Sequence, residues 1–145
     1  MTTIVYDHKN KQVACDGRLT AGNSIITDES IKFKENDKGM WFFTGAKSDE
    51  SQIMELSHND KPDIKPDCSA LLVKDKRCYL VAFNGDYCAV SENEYPHSIG
   101  SGGDFAIAAI DMGKTAREAV EYAITRDSGS GGKVHVYDIE KGEFI

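Results

Sequence analysis

The sequence has no apolar run near the ~18 residues that a membrane helix requires, no charged leader followed by a long apolar stretch, and no stripe of clustered Lys and Arg. The first two absences leave neither a membrane span nor a secretory signal. The third, together with a net charge of −7 over 145 residues, excludes the cationic face that a nucleic acid needs. The acidic balance is compatible with a peptide or small-molecule substrate.

Metal and cofactor signatures are missing as well. Cys15, Cys68, Cys78 and Cys88 form no CxxC pair, so they read as reduced, mostly buried thiols of a cytoplasmic chain. Cys78 and Cys88 could face each other across a hairpin, but a reducing compartment disfavours a disulfide there. His8, His58, His97 and His135 show no HExxH spacing that would set two ligands on one helical face. "MGKT" lacks the first glycine of a P-loop, because Ala108 stands in its place. "GSGGDF" and "GSGGKV" end in Phe105 and Val134 where a dinucleotide loop needs its last glycine. No GxSxG elbow exists, and no cysteine sits in a nucleophile signature. No metal or cofactor is expected.

What is present is a pattern of short strands. Thr3 to Tyr6 and Gln12 to Asp16 flank the polar turn "DHKNK", and "SIKF" (Ser30 to Phe33) with "MWFFTG" (Met40 to Gly45) reads as a second pair around "KENDK". "CSALLV", "RCYLVAF" and "YCAVS" follow, with "FNGDY" as the strongest hairpin signal. "KVHVYDI" and "GEFI" close the chain as a final pair.

Helical periodicity enters in two places. "SDESQIMEL" predicts one short helix with Ser48 as its N-cap, followed by an exposed connection with two prolines. After "GSGG", Phe105, Ala108, Ala109 and Met112 recur at helical spacing, and Gly113 suits a left-handed C-terminal residue. Thr115 and Glu118 form a capping-box pattern for the next helix, whose apolar face is Ala116, Ala119, Val120 and Ala123. The order of elements predicts an α+β domain spanning residues 1–145, with helices on two faces of stacked sheets.

The opening "MTTIV" enters a strand almost at once. A threonine hydroxyl is a weak nucleophile until a base takes its proton, and an adjacent free α-amine, with an ordinary pKa of about 7.7–8.0, can be that base. Thr2 would become residue one if Met1 were removed, as the small threonine side chain leads one to expect. A Met-Thr start by itself carries no catalytic meaning.

The remaining motifs give it one. "TTIV", "CDGRLTAGN", "SIK", "FFTGA", "IGSGGDFAIAA" and "RDSGSGGKVHVY" resemble, in this order, the motifs of the N-terminal-nucleophile hydrolases of the proteasome β-subunit and HslV peptidase type. The resemblance runs from Thr2 to about Asp138, with Lys47 to Glu94 lacking clear motifs. It implies a four-layer α-β-β-α sandwich of two stacked antiparallel sheets. It also implies a threonine-type peptidase or amide hydrolase, with Thr2 as nucleophile and its α-amine as base.

By the same resemblance, Lys32 would be the lysine whose charge lowers the pKa at the nucleophile, and Asp16 the carboxylate that supports it. Gly45 would offer the oxyanion-hole N–H, with Ala46 in place of the family's second glycine. Ser101, Asp127 and Ser130 would hydrogen-bond around the threonine amine. A peptide or unfolded-protein substrate and a homo-oligomer are implied. Between Gly45 and Cys68 there is room for one short helix where the family has two, so one helical face should be reduced. That reduction puts a closed double ring and an unfoldase ATPase partner in question. The competing expectation is a non-catalytic assembly or binding subunit with the same fold.

Overall fold

The computed structural model describes every residue from Met1 to Ile145. Its first half contains strands β1 (Ile4–Asp7), β2 (Gln12–Cys15), β3 (Leu19–Ala21), β4 (Ser24–Thr27), β5 (Phe33–Asn36) and β6 (Gly39–Gly45), then helix α1 (Glu50–Met54). The second half runs β7 (Cys68–Lys74), β8 (Arg77–Asn84), β9 (Tyr87–Glu92), β10 (His97–Ile99), α2 (Gly103–Asp111), α3 (Ala116–Arg126), β11 (His135–Asp138) and β12 (Glu143–Phe144).

Period-two alternation sorts these strands into layers. The first sheet has the order β10-β1-β2-β11-β12 and the second β5-β6-β7-β8-β9, all pairings antiparallel. Ile4, Tyr6, Val13, Cys15 and Tyr137 of the first sheet pack against Phe42, Leu71, Val73 and Cys78 of the second. The intervening residues Val5, Ala14 and Val136 point the other way, onto Ala106, Ala109, Ala116, Ala119, Val120 and Ala123 of α2 and α3. On the far face of the second sheet, Trp41, Phe43, Ala70, Leu72 and Val81 pack with Ile53 of α1. The result is an α-β-β-α sandwich whose second helical layer is reduced to the five residues of α1.

Several local expectations change. β5 begins only at Phe33 and runs on through the charged "KEN". It is an edge strand, where charged side chains reach solvent without cost to the ladder. Trp41 Nε1 donates to Asn36 Oδ1 at 2.8 Å, which fastens its turn. Ser48 lies inside a 3₁₀ turn, Lys47–Asp49, and α1 has no side-chain cap. Asp49 instead accepts the Asp67 N–H at 2.8 Å.

In α2 the buried face is Gly103, Ala106 and Ala109, while Phe105 and Met112 remain 38% and 83% exposed. Small residues let the helix approach the sheet and α3 closely, which leaves the large ones outside. Cys78 and Cys88 do not face each other: Cys88 lies opposite Phe83, and the two thiols point into different cores. All four cysteines are buried and unpaired. The β3–β4 hairpin and β10 have no counterpart in the sequence reading. No helix is long and apolar enough to cross a membrane.

The connection after α1 lies along β9, the outer edge of the second sheet. Asn59 N–H donates to Cys88 O at 2.7 Å and Cys88 N–H to Asp60 O at 2.8 Å, and Val90 N–H donates to His58 Nδ1 at 3.0 Å.

Candidate active site

Antiparallel pairing of β1 with β2 brings the start of the chain beside the end of β2, so that Asp16 faces Thr3 across the ladder, with Asp16 N–H donating to Thr3 O at 3.2 Å. The Asp16 carboxylate is fully buried. It accepts four hydrogen bonds: Thr3 N–H at 3.0 Å, Lys32 Nζ at 2.7 Å, Arg18 N–H at 3.2 Å and Gly131 N–H at 3.0 Å. That number of donors is what allows an ionised carboxylate to be buried.

Lys32 enters from the segment just before β5, whose backbone is held to β6 by Phe43 N–H donating to Lys32 O at 2.9 Å. Its ammonium spends its three hydrogens on Asp16 Oδ1, on Thr2 Oγ1 at 3.1 Å and on Met1 O at 3.0 Å. Burial pulls the Lys32 pKa below the ordinary lysine value, against the opposing pull of Asp16. The charge beside the Thr2 hydroxyl is thus held in a poorly solvated position, where it acts strongly.

A second chain of polar groups approaches from the turn before α2 and from the loop after α3. Thr2 N–H donates to Ser101 Oγ at 3.2 Å, and Ser101 Oγ donates to Asp127 Oδ2 at 2.7 Å. Ser130 Oγ donates to the same Asp127 oxygen at 2.6 Å and lies 2.6 Å from Thr3 Oγ1. Burial raises the Asp127 pKa, but hydrogen bonds from Ser130, Ser101 and the Gly129 N–H outweigh it and hold the carboxyl below its ordinary value. Ser130 therefore meets Thr3 and Asp127, whereas the Thr2 nitrogen is met by Ser101 alone.

Two glycines make the geometry possible. Gly45 has φ +113°, and a side chain there would run into Asp67 O and the Cα of Cys68. Ala46 N–H bonds to Asp67 O of the β7 side at 2.7 Å, while Phe43 N–H bonds to Lys32 O on the β5 side. Alternation then turns the Gly45 N–H toward the β5 side, past that strand's first residue, and Gly45 lines a small cleft together with Thr2, Lys32 and Phe43. Gly102 closes the other side: a Cβ there would collide with Thr3 Oγ1 and lie 3.1 Å from both Asp127 Oδ2 and Ser130 Oγ. A Gly102→Ala chain should fold with Thr3 and the Ser130–Asp127 pair displaced. The displacement is to be read as a changed near-UV circular dichroism beside an unchanged far-UV spectrum.

All seven residues singled out in the sequence, Thr2, Asp16, Lys32, Gly45, Ser101, Asp127 and Ser130, therefore meet around the start of β1. Three participants escaped the sequence reading. Thr3 is fully buried and bonded to Ser130, which the doubled threonine of "MTTIV" could have suggested. Arg18 pairs with Asp28 at 2.7 Å and donates to Ser128 O at 3.1 Å, tying the β2 end to the loop after α3. Glu50, nearly buried at the start of α1, lines the cleft and lies 3.1 Å from Lys34 Nζ.

The chain has a proteasome- and HslV-like fold. No family model matches it. It is 25% identical to the ATP-dependent protease subunit HslV of Sulfurimonas denitrificans over 152 aligned positions, covering 88% of this chain and 83% of the relative. It is 24% identical to the HslV subunit of Campylobacter jejuni subsp. doylei, over 94% of this chain and 89% of that protein. Among solved structures, Thiobacillus denitrificans BPH in complex with epoxomicin superimposes with a TM-score of 0.72 at 15% identity, covering 94% of this chain and 97% of BPH. A second BPH structure gives a TM-score of 0.69.

Proposed function

We propose that residues 1–145 form one hydrolase domain that cleaves peptide amide bonds through an acyl-enzyme on Thr2, once Met1 has been removed. The observation that carries this reading is the buried relay from Asp16 through Lys32 to the Thr2 hydroxyl, with spacings of 2.7 and 3.1 Å. The protease-subunit relatives and the epoxomicin-bound neighbour support it.

The chemistry follows from the parts. Thr2 Oγ1 attacks the substrate carbonyl and passes its proton to the free Thr2 α-amine, which returns it to the leaving amine. The Lys32 charge favours the nascent alkoxide, and the Gly45 N–H donates to the oxyanion. Ser101, in line with Asp127, holds the α-amine in place. Water then hydrolyses the ester and restores the threonine. Met1 turns that amine into an amide, which has no base strength, so the unprocessed chain is inactive.

The test is a peptide epoxyketone, whose two-point attachment requires both a free amine and the neighbouring hydroxyl. A chain produced with Thr2 as its first residue should gain one probe mass, located at Thr2, while the Met1-bearing chain gains none. Absence of an adduct on the Thr2-first chain would reject the peptidase reading in favour of a non-catalytic binding or assembly subunit.

A further inference from the structure

Met1 is attached to the site by more than its peptide bond. Its carbonyl oxygen accepts from Lys32 Nζ at 3.0 Å, its amine donates to Thr20 Oγ1 at 3.0 Å, and its side chain packs against Gly129. The residues beyond the bond are held more firmly still. Thr2 is 5% exposed; its N–H donates to Ser101 Oγ at 3.2 Å, and its carbonyl accepts from Gly102 N–H at 3.1 Å. Thr3 is fully buried, with its N–H and its carbonyl both bonded to Asp16.

The folded chain is badly placed to cut the Met1–Thr2 bond itself. While Met1 is attached, the Thr2 nitrogen is an amide and no base. The Thr2 hydroxyl is bonded to Lys32 Nζ, whose three hydrogens go to Asp16, Thr2 Oγ1 and Met1 O, and an ammonium has no lone pair to receive a proton. The Asp127 carboxylate is taken up by Ser101 and Ser130.

An outside aminopeptidase meets a different obstacle. To hydrolyse a first peptide bond it must hold the amine, the first carbonyl and the following residue in its own site, and here the fold holds all three. Met1, Thr2 and Thr3 must peel away together before it can act. The contacts that close over them come late in the chain: Ser101 lies 99 residues after Thr2, and Ser130 lies 127 after Thr3. Chain growth at about 5–20 residues per second leaves Met1 free for roughly 5–20 s before Ser101 exists.

Resting on the reading above that Met1 must leave, we infer that the working hydrolase is supplied by an aminopeptidase reaction completed before the sandwich closes. A chain that folds with Met1 in place is then a lasting, inert product. In the supplying step water breaks the bond between Met1 C and Thr2 N. Its hydroxyl goes to the carboxyl of the released methionine, and its hydrogen goes to the nitrogen that becomes the Thr2 α-amine.

The test gives one metal-dependent methionine aminopeptidase to three substrates: the folded Met1-bearing chain, a synthetic peptide of residues 1–10, and a chain with Gly-Ser inserted between Met1 and Thr2, checked for native circular dichroism. Loss of methionine is followed by intact mass. The folded chain should be processed at least ~100-fold more slowly than the peptide, because cleavage tracks the small population in which the start of the chain is open. The inserted chain, whose methionine stands clear of Lys32 and Gly129, should be processed at close to the peptide rate. Protection of the folded chain below ~100-fold overturns the required order, and loss of Met1 from the folded chain with no aminopeptidase present overturns the need for an outside enzyme. An inserted chain as resistant as its parent overturns the assignment of protection to the contacts around Met1 and Thr2. The readout is Met1 itself, so each outcome is independent of whether Thr2 reacts with an epoxyketone.

Discussion

Thr2→Ala, made in a chain that begins at residue 2, should lose hydrolysis by about 10⁴-fold or more, the scale on which deletion of a nucleophile acts, and should take up no epoxyketone. The loss is specific to one of two adjacent hydroxyls. Thr2 Oγ1 faces Lys32 at 3.1 Å, whereas Thr3 Oγ1 faces Ser130 at 2.6 Å, because successive side chains on an extended strand point to opposite sides. Thr3→Val should therefore cost stability, by about 1–3 kcal/mol for a buried hydroxyl contact, and still leave Thr2 reactive. Rates and adduct masses measured on both variants decide the matter. A Thr2→Ala chain that keeps its rate would place the nucleophile elsewhere.

Asp16→Asn is expected to be the most destabilising single change around the site. The asparagine keeps the volume of the side chain but replaces one acceptor oxygen with an NH₂ group and removes the negative charge. Lys32, 6% exposed, is then left as a buried cation without its partner, a situation that costs about 3–5 kcal/mol. Each carboxylate oxygen accepts two hydrogen bonds, Oδ1 from Thr3 N–H and Lys32 Nζ and Oδ2 from Arg18 N–H and Gly131 N–H, so two donors lose their acceptor as well. Urea unfolding of parent and variant gives the difference directly. Activity should fall with it, since Lys32 would shed its proton more readily and the charge beside Thr2 would go with it.

How much could be read in advance depends on which forces decided each element. The capping box at Thr115 and Glu118 and the face Ala116, Ala119, Val120 and Ala123 are local patterns, and the helix adopts both. α2 misled because its neighbours chose the face: Ala106 and Ala109 are buried by α3 and the sheet, while Phe105 and Met112 are excluded by size. β5 misled because an edge strand tolerates lysine and glutamate, so charge did not mark a turn. The gathering of Thr2, Asp16, Lys32, Gly45, Ser101, Asp127 and Ser130 was legible only as an ordered series of motifs. Residues 3 and 130 meet through a sheet register that no local window contains. The Phe43 and Glu50 walls of the cleft were invisible for the same reason, being set by how β6 and α1 stack.

The strap of residues 57–60 along β9 bears on how this chain behaves in a crowd of its own copies. With the second helical layer cut to five residues, the outer side of the second sheet would end in a row of open amides, a template on which another molecule could add a strand. Asn59, Asp60 and His58 occupy that row with partners from the same chain. At the opposite edge the short, charged β5 discourages pairing by a different means. The segment that replaces a helix thus works as a hem, keeping a thinned sandwich from unravelling into its neighbours.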